Sequence, residues 1–209
     1  MATEIVAPPR HPHATLVQWL TIVHGLLEGG ASLLASSLAG SVALLSFGLD
    51  SMIEVLSALV VLWRLTSLGR SHRLALSERN GLRLIGICFL ALAISVAFDA
   101  IQALVREERP HESLLGIIVA AVSLAVMPFL ATAKRRISGE IDSHAMRADA
   151  RQTDFCAYLA AILLLGLLAY KLFGWWWADP AAALVMTPIM AWEGIQAWRG
   201  HACGCASCS

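Results

Sequence analysis

Apolar positions in this chain run on well past what one buried helix face requires. Six stretches, roughly 16–38, 41–64, 82–105, 113–133, 152–173 and 178–198, are apolar on all sides with few charges inside them. Crossing the hydrocarbon core of a bilayer takes about 20 such residues in a helix. The pattern predicts an all-α membrane protein with six transmembrane helices. It has no period-two alternation that would argue for strands. The predicted organisation is a short N-terminal segment (1–15), a six-helix transmembrane bundle (16–198) and a Cys-rich tail (199–209).

The connections orient the bundle. Between spans two and three lie Arg70, Arg73, Arg79 and Arg83, and between spans four and five lie Lys134, Arg135, Arg136, Arg147 and Arg151. By the positive-inside rule both connections are cytoplasmic, and with six spans so are both termini. The opposite side holds the tight "AGS" link, "REERPHES" and "KLFGWWWADP", whose tryptophans suit an interfacial belt. The first apolar run is too long for a signal-peptide core and has no basic n-region, so it reads as a retained helix.

Composition narrows the function classes. With 58% hydrophobic and 14% charged residues, the chain is too apolar for a soluble domain of its length. Zero formal net charge argues against a nucleic-acid partner. No Gly-rich phosphate loop or Ser/His/Asp set appears, so neither an enzyme nor a resident cofactor is expected. Five cysteines, three of them in the last seven residues, fit metal binding or free thiols better than a disulfide scaffold.

Polar residues inside the apolar runs are the candidate chemistry. Asp50 and Glu54 fall near the middle of span two, four residues apart and therefore on one helix face. Ionised and unpaired in hydrocarbon, each would cost about 2.5 to 3.5 kcal/mol. A divalent cation, a shared proton or a cationic partner could relieve their repulsion, and so could plain protonation or bonding to neighbouring helices. In span one, His24 and Glu28 share the same spacing, with Glu28 at a matching depth. Glu28 is the ligand candidate, while His24 reads equally well as a buried, hydrogen-bonded side chain. At the start of span five, Asp149, Gln152, Thr153 and Cys156 fall in one helical sector, whereas Asp154 faces elsewhere. By span counting Asp149 sits at or beyond the membrane edge. Reaching Asp50 and Glu54 then takes a tilted helix or a water-filled vestibule. The tail "HACGCASCS" adds His201, Cys203, Cys205 and Cys208, nitrogen and sulfur donors suited to zinc, copper(I) or cadmium.

These segments resemble the cation diffusion facilitator family of divalent-metal transporters. "SVALLSFGLDSMIE" is similar to the family's helix-two segment with its acidic pair, matched here by Asp50 and Glu54. Aligning "RADARQTDFC" on its Ala-Asp puts Gln152 and Cys156 where the family has a His and an Asp. "MPFLATAKRR" and "FGWWWADPAAAL" look like a short bacterial branch, with Asp149, Gln152, Thr153 and Cys156 as its helix-five signature. The resemblance implies a metal site of Asp50, Glu54, Asp149, Gln152 and Cys156, to which Glu28 is added by its depth as a ligand, an outer partner or a proton relay. It also implies a homodimer in the bacterial inner membrane and export of zinc, or of cadmium or cobalt, in exchange for protons. The family's usual cytoplasmic metal-binding domain is not expected, since this sequence runs only about ten residues beyond span six. The alternative is a membrane-bound metal-binding or sensing protein that buffers metal through its tail and transports nothing.

Overall fold

The computed structural model describes residues 12–66, 73–107 and 111–199. Among them it contains six helices and no strand: α1 Pro12–Ala39, α2 Val42–Thr66, α3 Arg73–Val105, α4 Leu114–Glu140, α5 His144–Phe173 and α6 Ala178–Arg199. Pro12 opens α1, where a missing N–H costs nothing. Ser113 and Ser143 cap α4 and α5 by accepting from the N–H groups of Gly116 and Met146. Gly40, at φ 68°, and Gly174, at φ 67°, take the left-handed conformation that ends α1 and α5. The tight link between α1 and α2 depends on that glycine.

Three helix ends differ by about two turns from the sequence expectation, and the first is that of α3, which begins at Arg73 rather than near 82. α4 continues to Glu140 rather than stopping near 133, and α5 begins at His144 rather than near 152. The basic residues expected in a loop therefore occupy helical turns. Arg135 lies on the outer face and pairs with Asp154 at 2.8 Å, and the Ser143 cap sets the true start of α5. Asp149 thereby lies buried on the second turn of its helix, where its carboxylate meets Ser57 of α2.

The helices associate as three close pairs, α1 with α2, α4 with α5 and α3 with α6. Contacts of α1 with α4 and of α2 with α5 join the first two pairs, and α2 and α5 in turn pack on α3 and α6. Glycines set the closest approaches. The G-x-x-x-G pair Gly25 and Gly29 of α1 lies against Ser51, Gly48 and Met52 of α2. Gly86 of α3 meets the backbone of Gly194 and Trp198, and a Cβ there would stand 2.7 Å from two main-chain atoms. Gly86→Ala should therefore separate α3 from α6 at a cost of about 1–3 kcal/mol. A lower melting temperature in detergent checks this; an unchanged one would mean that the crossing is loose.

Many large apolar side chains are exposed on the outside, while charged and polar ones are buried among the helices. On α4, Phe129 is 78% exposed while Lys134, little more than a turn away, is 0% exposed. Leu27, Leu38, Ile94 and Leu165 are likewise exposed. This inverts the distribution of a water-soluble protein. Among the described residues, four helical segments, Pro12–Ala39, Val42–Trp63, Leu114–Glu140 and Met146–Phe173, are long and apolar enough to cross a membrane. α3 contributes a shorter apolar stretch, Phe89–Val105, and α6 carries Asp179, Glu193 and Pro188 within its 22 residues.

Candidate metal-ion site

α2 and α5 run antiparallel, and their polar stripes meet residue by residue. Asp50, Glu54 and Ser57 descend one face of α2 at spacings of four and three, and Cys156, Thr153 and Asp149 answer them on α5. The Cys156 thiol donates to Asp50 Oδ2 at 3.1 Å, and the Thr153 hydroxyl donates to Glu54 Oε1 at 2.7 Å. Ser57 completes the ladder by donating to Asp149 Oδ1 at 3.2 Å. Asp50, Glu54, Asp149, Thr153 and Cys156 are all buried. The helical spacing that grouped each set in the sequence also brings the two sets together.

A cation occupies this ladder. Lys134 of α4 is fully buried and places Nζ 2.8 Å from Asp149 Oδ2, 2.8 Å from Thr153 Oγ1 and 3.9 Å from Glu54 Oε1. Asp149 also accepts from Gln18 Nε2 of α1 at 2.8 Å. The carboxylate that the sequence offers as a ligand thus already has Lys134, Gln18 and Ser57 as partners. Lys134 itself is misplaced by charge counting, which puts it in a loop. A detectable signal existed: the buried positions of α4 are Gly116, Ala120, Ser123, Met127, Ala131, Lys134 and Ser138, one continuous stripe at spacings of three and four that includes the lysine. Ser57, three residues after Glu54 on the same face, could be grouped with it by the same spacing, whereas nothing in the spacing of Gln18 on α1 names its partner on α5.

The remaining candidates lie on α1 and α5. Glu28 is buried with neither carboxylate oxygen hydrogen-bonded, although His24 Nδ1 approaches Oε2 to 3.1 Å off the hydrogen-bonding direction. Glu28 lies within electrostatic reach of Asp50, Glu54 and Cys156. Glu54 Oε2, Ser32 Oγ and Gln152 Nε2 are also buried without a hydrogen-bond partner. Orphaned polar atoms are uncommon inside proteins, and three of these belong to two of the candidate carboxylates, Glu28 and Glu54. Among the described residues no three His, Cys, Asp or Glu side chains are close enough to hold an ion in this conformation. The donors stand instead as separate contacts, Asp50 with Cys156, Glu54 with Thr153 and Glu28 with His24. The tail candidates His201, Cys203, Cys205 and Cys208 lie outside the described residues.

The cation efflux transmembrane domain matches residues 83–199, more than half of the chain and four of its helices. The chain belongs to the cation efflux family. Its membership, with the apolar exterior, makes it a multi-pass membrane protein. Among similar proteins, an uncharacterised transporter of Synechocystis sp. is 28% identical over 86% of this chain and 60% of its own length. Transmembrane protein 163 of Xenopus laevis is 26% identical over 88% of this chain and 65% of its own. The cation-efflux pump FieF of Shewanella oneidensis is 24% identical over 83% of this chain and 57% of its own. The chain thus spans about three fifths of the length of the curated relatives it matches.

Proposed function

We propose that the protein is a divalent metal cation transporter that exports zinc, or a related ion such as cadmium or cobalt, from the cytoplasm in exchange for protons. The observation that carries this reading is an excess of buried carboxylates: Glu28, Asp50, Glu54 and Asp149 are all buried, and among the described residues the one buried ammonium is Lys134, which pairs with Asp149 and lies 3.9 Å from Glu54. Such a cluster attracts a second cation, and buried ionisable groups in a membrane bundle mark ion pathways. Family membership, and the likeness to a cation-efflux pump, favour the same activity. In this reading Asp50, Glu54 and Cys156 bind the ion, with Glu28 and Gln152 beside them and Asp149 anchoring the far end. Carboxylate and thiol must shed protons to bind metal, so binding releases protons and reprotonation favours discharge. We place the six helices as six spans with both termini cytoplasmic, and the functional unit as a homodimer in the bacterial inner membrane.

The test is metal flux in proteoliposomes across a panel of ions with an imposed pH gradient. Zinc movement that speeds up when the pH gradient drives protons in the opposite direction supports proton antiport; flux of no divalent ion sinks the reading. Selectivity should turn on Cys156, because thiolate favours zinc and cadmium whereas carboxylate favours harder ions such as manganese. Cys156→Asp should move competition toward manganese, and Cys156→Ser should weaken cadmium more than cobalt. An unchanged ion ranking in both variants would remove Cys156 from the site.

A further inference from the structure

Lys134 is the member of the cluster to which ion binding and release assign no part. Its ammonium has three donors. Two are directed to Asp149 Oδ2 and Thr153 Oγ1, both at 2.8 Å, and Glu54 Oε1 lies beyond them at 3.9 Å. Thr153 passes the contact on, accepting from Lys134 and donating to Glu54 Oε1 at 2.7 Å. One oxygen of Glu54 is therefore committed to this chain of contacts, while the other, Oε2, is buried and unpartnered.

We propose that Lys134 is a tethered counter-cation for the transported ion. In the ion-free protein its ammonium sits on Asp149 and Thr153, 3.9 Å from Glu54 Oε1, and an incoming ion takes Glu54 only as that ammonium moves away from Glu54 while staying on Asp149. The proposal rests on the transport reading above and adds to it a positioning residue that sets affinity. The geometry favours it in two ways. Glu54 is shared between Lys134 and an open oxygen, so a metal ion drawn to that oxygen meets a positive charge only a few contacts away and competes with it directly. Asp149 is held from three sides, by Lys134, Gln18 and Ser57, and so offers the displaced ammonium a fixed place to remain. A tethered competitor of this kind weakens binding and hastens release, as a carrier that must discharge its ion requires. A lysine that served only to pack against Asp149 would have neither effect.

Equilibrium binding of zinc alone to the purified full chain, together with zinc flux in proteoliposomes, tests the proposal. Lys134→Gln should bind zinc about tenfold more tightly than wild type, within the usual range of coupling between two sites. Its flux should show KM and Vmax falling together, because tighter binding slows release. Lys134→Arg keeps the charge and should stay close to wild type in affinity. If Lys134→Gln fails to fold, Lys134→Met, which keeps the length of the side chain and removes only the charge, takes its place and should likewise bind more tightly than wild type. Binding by wild type with equal or weaker binding in the folded variant overturns the proposal alone. No zinc binding in either protein overturns the transport reading, and the proposal with it.

Discussion

Asp50→Asn should reduce metal flux in proteoliposomes to the level of protein-free vesicles while the protein still inserts and elutes as the wild type does. The amide keeps the size of the carboxylate, and its carbonyl can still accept from the Cys156 thiol, which donates to Asp50 Oδ2 at 3.1 Å. Packing is therefore preserved and only the charge is lost. A neutral amide oxygen is a poor replacement for a carboxylate toward a divalent ion that has given up its water. The Asp50–Cys156 contact is also the end of the ladder farthest from Lys134 along α5, so no resident cation compensates Asp50 directly. Wild-type flux in a folded Asp50→Asn protein would show that the ion takes another route.

The largest loss of stability in the cluster is expected from Asp149→Ala. Lys134 is completely buried, and without Asp149 it would have no carboxylate closer than Glu54 at 3.9 Å. Breaking a buried pair from one side typically costs about 3–5 kcal/mol, because the surviving charge stays buried and uncompensated. Gln18 and Ser57 would lose their acceptor as well. Thermal unfolding in detergent should show a clear drop for Asp149→Ala, and Lys134→Met/Asp149→Leu should recover most of it. Similar melting of the single variant and the wild type would mean that the ammonium can reach water.

The helices and the α2–α5 site were legible in the sequence for one physical reason: a polar residue in an apolar run stands out, and helical spacing says which of its neighbours share its face. Asp50 with Glu54, and Asp149 with Thr153 and Cys156, could be grouped that way, and the two groups do meet. Lys134 was obscured by Arg135 and Arg136. Three consecutive basic residues look like a loop, yet on a continuing helix they point about 100° apart, so one can enter the core while the others stay outside. Partner choice was not legible at all. Gln18 lies 131 residues from the carboxylate it binds, and only packing of α1 on α4 and α2 brings the two together.

The matched ladder also restricts how the bundle can move. Sliding α5 along α2 by one turn in one direction would set Glu54 opposite Asp149, two carboxylates face to face, and Asp50 opposite Thr153. Sliding it the other way would leave Asp50 against the apolar surface of Leu159 and Ala160. Each displaced register is electrostatically worse than the one observed, so a ratchet of one helical turn, a known mode of switching in packed helices, is closed to this pair. Any opening must pivot the two helices about the ladder, parting it at one end while the other end stays engaged.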